Sequence, residues 1–431
     1  MASAAQAEKN TSRSVRVTLW ILLTVYIFNF IDRQIVNILA EPIAIDLGLS
    51  DTQIGLMTGL AFALFYTALG LPIARYADRP TTNRPRLIAI ALATWSAMTA
   101  LCGMANNFVQ LLLARIGVGV GEAGCTPPAH SLISDIVPPE RRSSALAFYA
   151  LGIPVGTLLG MMIGGFLADL VGWRTAFLIV GLPGVMLALV VHFVLREPRQ
   201  QIAGTMQESA SSGEALSTWT AVRMVMGSKA FLFLLAASST AAFLAYGKVT
   251  WTTIFFQRTH ELSPGEVGFW FGVVNGAAGI FGTWLGGYVA DKFGSKDRRH
   301  VLTAPAIGMA IAVPFAFFAY QSTNWLVALL LLVVPTICNS LYYGPTYSAA
   351  QGLVPVRARA IAAAMVLFFQ NLIGLGLGPL FFGMLSDLLQ PAYGEESVRY
   401  VLYGAAFLGL LPAFFFWRCS LRLNAELDRK G

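Results

Sequence analysis

Charge is what this sequence lacks. Only 12% of its 431 residues are Asp, Glu, Lys or Arg, against roughly 25% in soluble domains. Hydrophobic residues make up 56% and the mean hydropathy is +0.66. So few polar side chains cannot clothe a water-soluble globule of this length, and an integral membrane protein is expected. Cysteine is scarce too. Cys102, Cys125, Cys338 and Cys419 lie in or beside apolar stretches, and none is spaced for a metal or a redox pair, which excludes a disulfide framework and a zinc module. There is no phosphate loop, so no nucleotide-driven motor is expected. Gly119-x-Gly121-x-x-Gly124 formally matches a dinucleotide fingerprint. No strand precedes it and it lies inside an apolar helix, so it reads as a glycine face for close helix packing. No cofactor, metal or catalytic constellation is expected, and the chain is not read as an enzyme. The net charge of +7 is explained by its distribution, without nucleic acid.

What is present is apolar length. Spanning segments occur at about 17–40, 52–77, 86–105, 108–135, 143–169 and 174–195, and again at about 230–256, 264–290, 301–320, 325–353, 360–388 and 398–418. Each suffices for a membrane helix at 1.5 Å per residue. The expected fold is all-α, with twelve transmembrane helices in two six-helix bundles, 1–195 and 229–431. The Ser-, Gln- and charge-rich stretch 196–228 is read as the linker. The first 16 residues are polar, which does not fit a cleaved signal peptide.

Lys and Arg cluster at alternate connections, for example Arg75 to Arg86, Arg141–Arg142, Lys292 to Arg299, Arg357–Arg359, and the tail with Arg429 and Lys430. By the positive-inside rule both termini face the cytoplasm, and an inner (plasma) membrane location is expected. The halves echo each other at a nearly constant offset. "LPIARYADRP" matches "LGGYVADKFG", pairing Asp78 with Asp291. "IVPPERRSSALAF" matches "LVPVRARAIAAAM", pairing Arg142 with Arg359. "GGFLADL" matches "FGMLSDL", pairing Asp169 with Asp387. Such duplication suits two bundles that rock about a central site, which a channel or receptor does not need.

Asp78, Arg79 and Arg84, with Asp291, Arg142 and Arg359, are read as a conformational latch. A carboxylate near a helix N-terminus is favoured by the macrodipole, and basic neighbours add charge-assisted bonds. At this motif the chain first resembles the major facilitator superfamily. Glycines at 152, 156, 160 and 164, and at 268, 272 and 276, permit close helix contact and are expected at a moving seam between the halves.

Within "FNFIDRQIVN", Asp32 and Arg33 lie at membrane depth, and Arg115 and Glu122, seven apart, project from one face of the fourth span. Ionisable groups there are costly and carry a functional expectation. They form either a permanent salt-bridge cluster or a proton-coupled anion site. The second reading assigns Asp32 and Glu122 to proton coupling and Arg33, Arg115 and Lys248 to the substrate. Lys248 faces either the same cavity or the outer rim, and His130 is read as a packed residue.

Two stretches are similar to the spinster-like branch: "NFIDRQIVNILAEPIAIDLGLSDTQIGLMTGLAFALFY" and "RIGVGVGEAGCTPPAHSLISDIVPPERRSSALAFYALGIPVGTLLG". The resemblance implies that Asp32, Arg33, Arg115 and Glu122 are the functional cluster. It also implies an amphiphilic anionic lipid, of the sphingosine-1-phosphate or lysophospholipid kind, as substrate. Lys248 departs from the expected uncharged residue. Partners are then protons, membrane lipid and a small amphiphilic or anionic substrate, with the chain a monomer. A carrier of a small organic anion or drug is the second hypothesis.

Overall fold

The computed structural model describes residues 2–199 and 218–428, where every regular element is helical. Residues 200–217 of the expected linker, and Arg429 and Lys430 of the tail, lie outside the described residues. Nine helices among the described residues are long and apolar enough to cross a membrane. Two of these are double. Pro139–Val194 is interrupted at Gly172, with φ 77°, and Arg359–Glu426 at Gly394, with φ 57°. Both positions have the positive φ that favours glycine. Pro264–Gly294 is a further long helix. The chain therefore has twelve transmembrane helices: α1 Ser14–Ile38, α2 Asp51–Ala77, α3 Arg84–Cys102, α4 Phe108–Ile136, α5 139–171, α6 173–194, α7 Lys229–Arg258, α8 Pro264–Gly294, α9 His300–Gln321, α10 Trp325–Gly352, α11 359–393 and α12 397–428.

Helix starts follow local chemistry. Asn83 caps α3 by accepting the Arg86 amide at 2.9 Å, with Pro85 in the first turn. Ser50 with Gln53 and Ser263 with Glu266 form capping boxes on α2 and α8. Each satisfies amides that a helix start leaves unpaired.

Two compact units result. The described residues within Met1–Leu47 and Ala61–Ser211 form the first, and those within Gly48–Leu60 and Ser212–Gly431 form the second. Residues 51–60 of α2 thus pack with the second unit and 61–77 with the first. A π-helical turn, Leu56–Leu60, ends the first of these parts.

In the first unit α5 lies on α1. A Cβ at Gly156 would stand 2.5 Å from the Ile27 carbonyl oxygen, and one at Gly160 would stand 2.9 Å from the Ile31 Cα. The glycine spacing suggests a seam between halves. The structure corrects that: the row is packing inside the first unit, where two backbones approach more closely than a side chain allows. The second unit has a core of Phe231, Leu234, Tyr342, Val366 and Phe416. A π-helical segment, Gln370–Leu377, lies within α11.

Candidate functional site

The site in the first unit begins with glycines on α4. A Cβ at Gly119 would meet the Phe62 carbonyl oxygen at 2.6 Å, and one at Gly121 would meet the Trp95 amide nitrogen at 2.6 Å. α4 therefore lies against α2 on one side and α3 on the other. Its first segment ends at Glu122, and a second starts at Thr126 with Pro127 and Pro128 in its first turn. Proline lacks the amide that would continue the helical ladder, so the break falls beside Glu122.

Four ionisable side chains come together here. Arg33 Nε donates to Glu122 Oε2 at 2.5 Å, and the Glu122 side chain is fully buried. Asp32 and Arg115 are each 1% exposed. Arg115, Glu122, Trp95 and Thr99 are the neighbours of the Asp32 carboxylate. Trp95 and Thr99 lie within reach of Asp32, and Asn29 within reach of Glu122, but several of these buried atoms make no well-formed hydrogen bond to protein. They are both Asp32 oxygens, Glu122 Oε1, Arg115 Nε and Nη1, Trp95 Nε1, Thr99 Oγ1 and both amide atoms of Asn29. Buried polar groups are nearly always satisfied by protein, water or ligand. Three rings surround Arg33, with centroids of Phe30, Phe62 and Tyr66 at 5.1, 5.1 and 4.6 Å from its Cζ, and Arg115 lies 5.4 Å from the Phe62 ring.

The structure thus gathers Asp32, Arg33, Arg115 and Glu122. Lys248 is on α7 in the second unit and has no ion-pair partner among the described residues. His130 meets the Tyr149 ring edge-on at 5.5 Å.

The latch residues occupy the Arg- and Lys-rich end. Asp78 is exposed and its carboxylate accepts only from Ser131 Oγ, at 3.3 Å, among the described residues. Arg79 lies over Tyr76, and Arg142 donates to the Val137 carbonyl at 3.2 Å. Asp291 and Arg359 are exposed and carry no ion pair among the described residues. Arg84 is different. It is fully buried, forks onto Glu197, and donates to Asp135 Oδ2 at 2.7 Å. Arg199 Nε reaches the same Asp135 oxygen at 2.7 Å. Burial works to raise the Glu197 carboxyl, but hydrogen bonds from Arg84 and the Arg199 amide outweigh it and hold it below the usual range. In sequence Glu197 and Arg199 read as linker, because their polar neighbours mask a buried partner.

A second network lies in the second unit, at the opposite end of α2. The Asp387 carboxylate accepts the amides of Asp51 and Thr52 at 2.9 and 2.8 Å. The Asp51 carboxylate takes both Arg258 guanidinium nitrogens, at 3.0 and 2.8 Å, and Ser386 Oγ at 2.5 Å. A carboxylate at a helix N-terminus is the arrangement expected of the latch, found here at a different place. The Ser50-x-x-Gln53 capping box was the readable signal.

Comparison with known proteins follows this geometry. The family model described as Major Facilitator Superfamily matches residues 22–379 and 262–427. An "MFS-type efflux pump" of Mycolicibacterium smegmatis is 33% identical over 422 residues, covering 98% of this chain and 96% of that protein. "Protein spinster homolog 1" of Xenopus laevis is 25% identical over 441 residues, covering 97% and 82%. A crystal structure of a bacterial homolog of the human lysosomal transporter Spinster, inward-facing and unoccupied, superposes with a TM-score of 0.87. Its identity is 31%, over 96% of this chain and 98% of that one.

Proposed function

Because the chain belongs to the Major Facilitator Superfamily and is a spinster-like membrane transporter rather than an enzyme, we propose that it is a proton-coupled carrier of an amphiphilic anionic lipid of the sphingosine-1-phosphate or lysophospholipid kind. The observation that carries this reading is the first-unit cluster: buried Arg115, with unfilled donors, and half-buried Arg33 beside two buried carboxylates. A phosphate or carboxylate headgroup supplies the acceptors that Arg115 Nε and Nη1 lack, and the planar guanidinium fork suits it. Arg33 exchanges Glu122 for the headgroup, and Glu122, left without its cation, takes a proton. Anion and proton are then coupled through shared arginines, and by linkage that coupling is reciprocal. Lys248 contributes a further cation to the substrate path.

The proposal includes a plasma-membrane location with both termini cytoplasmic, following the Lys and Arg distribution. It divides the chain into functional halves 1–195 and 229–431. Asp78, Arg79, Asp291, Arg142 and Arg359 engage as a latch in another state of the cycle.

A second reading, a proton-coupled carrier of a small organic anion or drug, is favoured by the likeness to the mycobacterial efflux pump. The charges are the same in both. Thermal-shift binding with lysophosphatidate, a linear dicarboxylate and a neutral sugar separates them. A ligand at 100 times its Kd stabilises by about 2.7 kcal/mol. Stabilisation by lysophosphatidate alone supports the lipid reading. Stabilisation by the dicarboxylate alone supports the second, and stabilisation by the sugar alone defeats both.

A further inference from the structure

We infer that Phe62, together with Tyr66 and Phe30, is a positioning collar that holds the two guanidiniums of the first-unit cluster in place while they change anionic partners. This rests on the anion-site reading above and adds positioning residues to it.

The Phe62 ring is shared. Arg33 Cζ lies 5.1 Å and Arg115 Cζ 5.4 Å from its centroid. Phe62 is 1% exposed, so both contacts occur where a cation feels the ring quadrupole with little competition from water. Tyr66, one turn further along α2, and Phe30, on α1 three residues before Arg33, complete the surround at 4.6 and 5.1 Å. Gly119 makes the sharing possible. The α4 backbone at Gly119 stands so close to Phe62 that a Cβ would be 3.2 Å from the Phe62 Cα. Arg115, one turn before Gly119 on the same face, therefore arrives over the ring.

The chemistry explains why rings suit this place. A carboxylate or carbonyl holds a guanidinium by occupying its N–H donors. An aromatic face attracts the cation and need not occupy an in-plane donor. Arg33 bonds Glu122 and meets the Tyr66 hydroxyl, and Arg115 Nε and Nη1 spend no bond on protein. Two guanidiniums held by rings keep donors for an incoming anion. They also stay in place at the moment when Arg33 has released Glu122 and not yet bound its replacement. Buried Phe side chains commonly serve packing alone, so the test must separate the ring's electrostatics from its bulk.

Fluorination does this, because it weakens the ring quadrupole with little change of shape. Phe62 is replaced by phenylalanine, 3,5-difluorophenylalanine and 3,4,5-trifluorophenylalanine in the full-length transporter. Two quantities are read: lysophosphatidate affinity in detergent, and the rate of Arg33 modification by phenylglyoxal, followed by peptide mass spectrometry. The collar predicts a graded loss of affinity, reaching about tenfold for the trifluoro ring, and a graded rise in labelling. Tyr66→Leu should raise Arg33 labelling well above Tyr66→Phe, which keeps the ring and loses only the hydroxyl contact. Flat affinity and flat labelling across the series overturn the collar and leave Phe62 a packing residue. If the parent protein binds no lysophosphatidate, the lipid reading fails by itself, and the labelling series, which needs no substrate, still decides the collar.

Discussion

The interiors of the two units differ. The first buries Asn29, Asp32, Arg115 and Glu122 at membrane depth with Arg33 half-buried beside them, whereas the buried polar side chains of the second are Ser, Thr, Gln370 and Asn371, with Asp51 the one buried acid, at a helix start. Its interior cation, Lys248, has no acidic partner among the described residues. The second unit's ionic links lie instead at a helix start, where Asp51, Arg258 and Asp387 meet. Helices and turn residues are needed in both units, because each must fold and span. Charge is free to diverge, because only one of two linked bundles has to carry it. Under the proposed function the first unit carries the chemistry and the second the structural holding.

The largest effect belongs to the carboxylates. Asp32→Asn and Glu122→Gln fix the uncharged form. At least one should abolish gradient-driven accumulation in proteoliposomes while sparing exchange that ignores pH. Uptake at several pH values, with and without an imposed gradient, reads this. If both variants still accumulate substrate, proton coupling lies outside the cluster and the division fails at its main point.

Next comes the clasp of the second unit. Arg258→Met leaves the Asp51 carboxylate, 4% exposed, without its cation. Breaking one side of a buried pair costs about 3 kcal/mol or more. Thermal stability should fall accordingly, with the pH dependence of transport unchanged. A shifted pH profile at parental stability would put proton chemistry in the second unit.

These assignments differ in how readable they are from sequence. The spans are legible, because a run of about twenty apolar residues with almost no charge suits a bilayer and little else. Asp32, Arg33, Arg115 and Glu122 stand out as charges at membrane depth. Arg115 and Glu122, seven residues apart, also announce a shared face. The Phe62 and Tyr66 rings do not stand out, since two aromatics four apart on an apolar helix look like ordinary core. Nor does the membership of residues 51–60 in the second unit: periodicity tells which face is apolar, not what covers it. Glu197 is hidden because its polar neighbourhood resembles a linker, and only the fold brings Arg84, 113 residues away in sequence, onto it. Arg84 reads as part of the latch for the same reason. Its charge is visible in the sequence and its burial is not.

Arg33 and Lys248 give a direct comparison of the two interiors. Arg33→Lys keeps the charge but loses the planar fork that pairs with Glu122 and lies among three rings. Affinity for lysophosphatidate should fall about tenfold, roughly 1.4 kcal/mol. Lys248→Met should cost less than that. Titration of both variants by thermal shift checks the order. A greater loss at Lys248 would move the main anion contact into the second unit.

The smallest effect separates the first unit's interior from its own rim. Glu197 sits at the Arg- and Lys-rich end, its carboxyl held below the ordinary value by Arg84 and Arg199 against the opposing pull of burial. A carboxyl depressed in the folded state stabilises it above the unfolded pKa, and that stabilisation is lost as pH falls through the folded one. The parent protein should therefore lose stability progressively as pH drops below the ordinary range of a glutamate. Glu197→Gln should be less stable near neutrality and flatter on the acid side. Under the proposed coupling, which holds the transported proton at Asp32 or Glu122, its pH dependence of transport should match the parent's. Melting temperature against pH, beside uptake against pH on the same preparations, gives both curves. An acid limb as steep in Glu197→Gln as in the parent would mean that the Arg84 network contributes nothing there. A transport profile that flattens together with the stability profile would mean that rim and interior titrate as one system. The carboxylates of the first unit could then no longer be divided into those that hold it and those that work.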